Sequence, residues 1–440
     1  MDLPFKNKTT AWLGLYTVGI AGTTTCVVIN ADMPGRGPLM ETAVAAGMAA
    51  FFIFCAQFVL TARFLPLGRT VGVDAELRFH GRMGMAGAGL TLLHAALLIV
   101  AAPGNLGYLD PRLGAPGGLI LYAALLALGG LAFLSLGRKI LGMPYDLWRL
   151  THGLLAAVVV ATGATHIRTV GYWTSGSVNR ALIAGTAALA LYALFHIRLV
   201  KPLWALRRPW VVAEVRYEAP KVWTLAVMPL NHKGLRFRPG QYAWLTLGRN
   251  PFRLEQHPFT IASSAERGER LEFVIKELGD FTSTMASVAP DTTAYVEGPY
   301  GGMETGGGDR GTVFVAGGVG ITPAMAMLRT RRDRKDGRAF HLIYAASGEG
   351  KLVFRDEIER LKNEIPLTVT YVLENPPPGW AGETGYLTRA MMERVLPRER
   401  RTEWEYFVCG PDPMIDLAHR LLTEMDVPRR RQRSERFNWI

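Results

Sequence analysis

Read for the spacing of its apolar positions, the chain divides near Trp210. Before that point apolar residues run almost unbroken in six stretches, at about 11–29, 39–62, 79–102, 117–137, 147–168 and 180–199. A helix needs roughly 20 mostly apolar residues to cross the hydrocarbon core of a bilayer, so each stretch predicts a membrane-spanning helix. The first is uncharged and follows Lys6 and Lys8, but it lacks a small-residue cleavage site and five more spans follow. It therefore reads as a retained helix and not as a signal peptide. After Trp210 the pattern changes to short alternating runs broken by Gly and Pro, which predicts strands. VVAEVRYEA, VWTLAVMPL, QYAWLTLG, LEFVIKEL and TTAYVEGPYG predict an antiparallel β-barrel ending near residue 305.

A Gly-rich linker at 301–309 follows, and then TVFVAGGVGITPAMAMLRTRR, which reads as a buried strand, a glycine turn and an amphipathic helix. HLIYAAS, LTVTYVL and YFVCGPD predict further buried strands, with helical stretches at about 354–364, 388–395 and 411–425. Strands alternating with helices predict a parallel sheet with a nucleotide site at its carboxyl edge.

Composition sharpens this division. The 440 residues are 49% hydrophobic and 20% charged, with a net charge of +12, whereas soluble domains carry about 25% charge. Residues 1–210 hold 17 Lys+Arg against 7 Asp+Glu, and residues 211–440 hold 32 against 30. The positive excess thus sits in the apolar half, which argues for membrane topology and against a nucleic-acid partner. Basic residues in the loops and near the span ends sort by side. Lys6, Lys8, Arg63, Arg69, Arg78, Arg138, Lys139, Arg149, Arg198, Lys201, Arg207 and Arg208 fall on one side, and Arg36, Arg112, Arg168 and Arg180 on the other. Twelve against four predicts that the N-terminus and everything after Trp210 lie in the cytoplasm, with the bundle in the cell (inner) membrane. Three cysteines, Cys26, Cys55 and Cys409, are too few for a disulfide framework, a four-thiolate zinc site or a cysteine-held iron–sulfur cluster.

Ionisable residues inside membrane spans are costly and point to function. The third span carries His80 and His94, and the fifth carries His152 and His166. Each pair is separated by 14 residues, about 21 Å of rise and just under four turns, so each pair lies on nearly one face. The third and fifth of six alternating spans run in the same direction. His80 can then face His152 near the cytoplasmic leaflet, and His94 can face His166 near the outer one. Two facing imidazoles at each of two depths suit bis-axial ligation of two haems. Gly81, Gly84, Gly87 and Gly89 either make room for a flat macrocycle or let helices approach. His196 has no partner at matching spacing and reads as interfacial. In the second half, Gly317-Gly318-Val319-Gly320-Ile321-Thr322-Pro323 offers free amides at a helix start, the arrangement that holds a pyrophosphate. Cys409-Gly410-Pro411 ends a strand at the same edge.

Together with Arg238-Pro239-Gly240-Gln241-Tyr242, His257-Pro258-Phe259-Thr260, Ser263-Ser264 and Gly298-Pro299-Tyr300-Gly301, these motifs resemble the ferredoxin-reductase-type flavin and nicotinamide module. Joined to six helices with paired histidines, the chain resembles the NADPH oxidase and ferric reductase superfamily in its compact bacterial form. The resemblance implies a six-helix transmembrane haem domain at 1–207, an FAD-binding β-barrel at 208–305 and an NAD(P)-binding α/β domain at 306–440. It implies that His257, Pro258, Phe259 and Thr260 cradle FAD, with Thr260 near the reactive edge and Ser263 and Ser264 in the same motif. Lys276, Phe281 and Thr282 belong to a second flavin segment. Gly317, Gly318, Gly320, Thr322 and Pro323 would hold the dinucleotide pyrophosphate, and Cys409, Gly410 and Pro411 would lie by the nicotinamide. Phe437 or Trp439 would cover the flavin. His80, His94, His152 and His166 would ligate two haems of b type.

The implied function is electron transfer from NADPH or NADH through FAD and haem to an acceptor outside the cytoplasm. That acceptor is oxygen or a ferric chelate, or a periplasmic partner protein if the chain is an electron conduit. The family's NADPH users often place an arginine after the second strand of the nucleotide domain; here the sequence is Tyr344-Ala345-Ala346-Ser347, with Lys351 as the substitute. The animal oxidases carry a further histidine beside the oxygen site, where this chain has Leu98.

Overall fold

A computed structural model describes residues 5–31, 35–64, 73–110, 112, 118–301, 303, 311–397 and 401–436. The chain forms two compact units, one from residues 7–67 and 75–201 and the other built on residues 202–440.

In the first unit, helices α1 (Phe5–Ile29), α2 (Pro38–Thr61), α3 (Val73–Ala101), α4 (Gly118–Gly137), α5 (Tyr145–Val170) and α6 (Ser177–Phe195) match the six apolar stretches in order. Among the described residues five helices are long and apolar enough to cross a membrane. Of α1, the part with described side chains is the apolar segment Gly14–Ile29. A single π-turn, His196–Val200, carries α6 into the short α7 (Lys201–Ala205). The buried helix is α2, whose Met48, Phe51, Phe52 and Cys55 pack with Val160, Ile183, Ala187 and Ala190. The other spans leave Leu92, Leu126, Phe133 and Leu154 open at the surface, as lipid-facing residues would be. One end of the bundle is tied by polar groups. Glu41 accepts hydrogen bonds from the Tyr172 hydroxyl and, at 3.2 Å, from Trp173 Nε1, and the buried Asn179 amide donates to Val27, Asn30 and Trp173 carbonyls.

The second unit opens with six antiparallel strands, β1 (Trp210–Ala219), β2 (Val222–Pro229), β3 (Tyr242–Leu247), β4 (His257–Thr260), β5 (Leu271–Lys276) and β6 (Thr293–Tyr300), in the order β4-β3-β6-β1-β2-β5. A bridge from Ile261, just past β4, to Phe273 on β5 curls the sheet back on itself. β4 is a strand that periodicity did not mark. Its Pro258 cannot donate to a ladder, and β4 takes an end position in the sheet order, where a proline is tolerated.

A parallel sheet follows, in the order β10-β9-β8-β7-β11-β12. Its strands are β7 (Gly311–Gly317), β8 (Ala339–Ala346), β9 (Leu367–Leu373), β10 (Glu383–Thr384), β11 (Glu405–Gly410) and β12 (Gln432–Arg436). Helices α8 (Thr322–Arg334), α9 (Arg355–Leu361), α10 (Arg389–Val395) and α11 (Asp412–Glu424) cover it. The helix α8, expected to be amphipathic, is instead buried from Thr322 through Arg331. Its arginines are paired: Arg331 donates to Thr312 Oγ1 at 2.8 Å and to the Arg338 carbonyl at 2.7 Å. Sheet and barrel share one core, in which Val222, Ala262 and Val274 pack with Met325, Leu328 and Phe354.

Candidate functional site

In the second unit the glycine turn after β7 lies directly on the turn after β11. A Cβ on Gly320 would come within 2.2 Å of the Cys409 carbonyl, and one on Gly317 within 2.7 Å of Met414 Sδ and 2.9 Å of Pro411. Only glycine permits this backbone approach. Gly318 has a positive φ of 53°, and its carbonyl accepts from the Tyr344 hydroxyl at 3.2 Å. Tyr344 in turn accepts from the Val353 amide at 3.0 Å. Burial pushes the Tyr344 phenol well above its ordinary range, so it stays a donor to the turn. Thr322 begins α8 with its hydroxyl on the Val319 carbonyl at 2.7 Å and Pro323 beside it.

This edge opens into a cleft of about 820 Å³. Gly317, Gly318, Val319 and Pro411 line it, and Lys276 lines it from the end of β5. Lys221, Lys351, Glu374, Tyr386 and Met414 also line it; of these, sequence reasoning singled out only Lys351. Three lysines against one carboxylate suit a polyanionic dinucleotide. Lys351 Nζ donates to Ser347 Oγ at 2.9 Å, and Tyr386 holds Glu374 at 2.6 Å.

The barrel side of the site is aromatic. His257 stacks on Phe281 at 4.3 Å between ring centroids, and Phe259 lies 6.2 Å from Phe281. Thr260 is buried and pairs in register with Tyr242, whose ring lies 5.8 Å from Tyr300. Cys409 is fully buried in β11 and pairs with Glu435 on β12. Glu435 approaches Gly301, whose hypothetical Cβ would be 4.0 Å from Glu435 Oε1 and 2.9 Å from the Tyr242 ring. Sequence reasoning gave Glu435 no role; its place beside Cys409 follows from β12, a strand of polar residues that carries no alternation. Ser263 and Ser264 are buried and engaged with the chain itself, accepting from the Glu272 and Glu266 amides at 3.3 Å. Thr282 accepts from the Leu278 and Gly279 amides at 2.8 and 3.0 Å. Gly410 packs against Met414. Phe437 and Trp439 lie outside the described residues, as do Gly302 and residues 304–310 of the linker.

In the helical unit His80 on α3 and His152 on α5 face each other, 6.0 Å between centroids with their planes at 58°. Two imidazoles bound to one metal through bonds of about 2 Å would place their centroids roughly 6 Å apart. His152 Nδ1 hydrogen-bonds Ser135 Oγ at 3.1 Å. His80 Nδ1 is buried with no hydrogen-bond partner among the described residues. A Cβ at Gly81, Gly84 or Gly89 would meet nothing within 4 Å, whereas Gly87 packs on Phe54 and Ile53 of α2. Gly81 and Gly89 are exposed on the helix surface, and Gly87 serves helix approach.

The second pair is arranged differently. His166 lies in electrostatic reach of His94, but the His94 ring turns toward α2. Its Nδ1 donates to the Ala43 carbonyl at 2.7 Å, and a Cβ on Gly47 would come 2.7 Å from that nitrogen. A carbonyl can only accept, so the bond fixes the tautomer and leaves Nε2 unprotonated, an arrangement also seen in metal-binding histidines. His196, expected at the interface, is buried with Phe64 at 5.2 Å and Tyr192 at 5.9 Å.

Comparison with known proteins gives three family matches along the chain. Residues 46–163 match a ferric reductase-like transmembrane component, 212–304 an FAD-binding domain, and 314–420 an oxidoreductase NAD-binding domain. Among curated proteins the chain is 31% identical to NADH-cytochrome b5 reductase 1 of Laccaria bicolor, over 39% of this chain and 57% of the relative. It is 32% identical to the enzyme of the same name from Aspergillus terreus, over 36% of this chain and 56% of the relative. The chain therefore spans little more than half the length of these relatives. Among solved structures, the FAD/NAD-binding domain of a Vibrio cholerae nitric oxide dioxygenase aligns at a TM-score of 0.47 and 19% identity, over 52% of this chain and 98% of that one. The cytochrome b5 reductase domain of Ulva prolifera nitrate reductase aligns at 0.45 and 21%, over 51% and 96%.

Proposed function

Because the chain joins a transmembrane component to FAD- and NAD-binding domains in the architecture of the NADPH oxidase and ferric reductase superfamily, we propose that it carries electrons from NADPH or NADH across a membrane to an acceptor on the far side. The observation that carries this reading is the pairing of His80 with His152, ring to ring at 6.0 Å, in a chain that also holds a flavin and nicotinamide reductase. When bound, FAD accepts two electrons as hydride and releases them singly, and two haems of b type pass them on one at a time.

The chain's own residues divide the remaining work. His80 and His152 hold one haem, with Ser135 steadying His152. His94 and His166 hold the second, with the Ala43 carbonyl fixing the His94 tautomer. Phe281, His257 and Phe259 supply a flat aromatic wall for the flavin, and Thr260, Cys409 and Glu435 stand at its reacting edge. The Gly317–Gly320 turn takes the pyrophosphate at the start of α8. Lys221, Lys276 and Lys351 balance the dinucleotide's charge. In this reading the N-terminus and the reductase module lie in the cytoplasm, and the bundle lies in the cell membrane.

The purified protein is predicted to contain haem and FAD, and His94→Leu to lose one haem and all outward reduction while the nicotinamide still reduces the flavin. Unchanged haem content and outward activity in that variant would overturn the proposal. The acceptor is identified by comparing superoxide-dismutase-sensitive cytochrome c reduction with anaerobic reduction of a ferric chelate. Oxygen as acceptor gives the first signal alone, and ferric iron gives the second.

A further inference from the structure

The His94 ring of α3 reaches the backbone of α2 through a gap left by Gly47. A Cβ at Gly47 would lie 2.7 Å from His94 Nδ1 and 3.0 Å from its Cγ and Cε1, so a side chain there and the ring in its present place exclude each other. The Ala43 carbonyl, one turn earlier, is the natural helical acceptor of the Gly47 amide. A carbonyl has two lone pairs, and the second takes the His94 Nδ1–H at 2.7 Å. Acceptor and gap thus belong to one turn of α2.

This contact has a reciprocal partner along the same two helices. Seven residues after Gly47 on α2 comes Phe54, and seven residues before His94 on α3 comes Gly87. A Cβ at Gly87 would come 2.9 Å from the Phe54 ring. Seven residues are about two turns, so the two helices meet antiparallel along one seam, and each gives up a side chain to a ring of the other. The start of α2 is also held from outside. Glu41 accepts from the Arg36 amide at 3.0 Å, from Trp173 Nε1 at 3.2 Å and from the Tyr172 hydroxyl. Tyr172 and Trp173 follow α5, the helix of His166. The acceptor that orients His94 is therefore tied to the helix that carries the facing histidine. At the other pair the acceptor is a hydroxyl, Ser135 Oγ at 3.1 Å from His152 Nδ1, and a hydroxyl can rotate away where a helix carbonyl cannot.

We propose that Gly47 is a positioning residue for His94. The missing side chain admits the ring to the Ala43 carbonyl, and that bond fixes the orientation of the imidazole and lowers the potential of the haem it holds. The inference rests on the haem reading given above. A bond from Nδ1–H to a strong acceptor makes Nε2 a more electron-rich donor, and a more electron-rich axial ligand favours the oxidised iron. The device acts on one histidine pair and not on the other, so it separates the properties of the two haems.

The test compares the full chain in lipid discs as wild type, Gly47→Ala and Gly87→Ala. Gly47→Ala is expected to hold one haem about 10–100-fold less tightly and, at saturating haem, to raise the midpoint potential of that haem alone. Gly87→Ala crowds the same seam without reaching His94 and is expected to leave both potentials in place. Alanine is a better helix former than glycine, so a merely structural role for Gly47 predicts two variants that behave alike. That result, or unchanged haem affinity and potentials in Gly47→Ala, would overturn the proposal while leaving the haem reading intact. A second measurement needs neither variant to fold. In the haem-free wild-type chain with nitrogen-15-labelled histidine, the signal that disappears in His94→Leu should show a protonated Nδ1 and a bare Nε2; the opposite tautomer would overturn the proposal whatever the haem content. A wild-type chain that takes up no haem would overturn the functional reading and this assignment with it.

Discussion

The buried arginines of α8 in the reductase unit and the polar groups around His80 and His152 in the helical unit are treated in opposite ways. In the reductase unit each buried arginine of α8 is matched by the chain itself. Arg329 makes a bidentate pair with Glu357 at 2.7 and 2.6 Å, and donates to Glu272 and to the Ala262 carbonyl at 2.9 Å. At the Glu41 end of the helical unit, Tyr172 and Trp173 donate to Glu41, and the Asn179 side-chain N–H groups donate to backbone carbonyls. At the His80/His152 end, His80 Nδ1 and Trp148 Nε1 lack partners among the described residues. A polar network that the chain completes contributes stability outright, whereas one left incomplete depends on what binds there. Substitutions in the first should therefore appear as lost stability of the bare protein, and substitutions in the second as lost cofactor.

The largest effect expected on this account is that of Arg329→Met. It leaves Glu357 without its bidentate partner and Glu272 with Arg270 alone, and breaking a buried pair in this way costs about 3–5 kcal/mol. Chemical denaturation of the full chain, followed through the reductase unit, measures it. A loss below about 1 kcal/mol would mean that this network behaves as a surface feature and would break the comparison. The pH dependence has a definite sign. Burial pushes the Glu357 carboxyl up, but the Arg329 hydrogen bonds and charge outweigh it and hold the group below its ordinary value. A carboxylate so depressed stabilises the fold above its unfolded pKa and loses that contribution as pH falls through the folded one. The gap between wild type and Arg329→Met should thus be full at neutral pH and narrow below about pH 4.

How legible each unit was in the sequence follows the same division. Long apolar runs place the helices of the bundle, because a lipid-facing segment must be apolar on every side. Strands buried on both faces, such as Thr312–Gly317 and Tyr406–Cys409, are equally plain. The short elements were not. β4, β10 and β12 bury few apolar positions, and Gln432–Arg436 reads as a charged tail until its pairing with β11 is seen. With β12 went the position of Glu435 beside Cys409. The helix α8 misled for a related reason: its arginines look like a solvated face, and the acceptors that bury them, Glu357 and Thr312 far off in sequence and the nearer Arg338 carbonyl, are met only in the fold. The paired histidines were legible as spacing, but the bond from His94 to Ala43 depends on a contact between helices that spacing does not record.

Lys351→Ala sharpens the comparison from the nucleotide side. The lysine is exposed and lines a cleft whose floor, the Gly317–Gly320 turn, is already held by Tyr344 and Cys409. Its removal should leave the thermal transition unmoved. If Lys351 pairs with a 2′-phosphate, KM for NADPH should rise about tenfold, the worth of one charge-assisted bond, with KM for NADH unchanged. Equal changes for both dinucleotides would place Lys351 at the shared pyrophosphate.

The smallest effect is the most discriminating. His152→Leu exchanges a polar ring for an apolar side chain of similar bulk. In the chain prepared without haem it forfeits one 3.1 Å bond to Ser135, whose hydroxyl can turn to a carbonyl of its own helix as Thr91 does to Gly87. It also relieves the contact between two imidazoles 6.0 Å apart. These changes oppose each other, and the net shift in stability should stay within about 0.5 kcal/mol. A haem-free chain that unfolds readily on this substitution would mean that His152 belongs to a completed internal network, and the contrast between the two units would fail at its most important residue. If the bare protein is indifferent to His152 while the loaded protein loses a haem, then the polar atoms at this end of the bundle are placed for the cofactor and not for the fold.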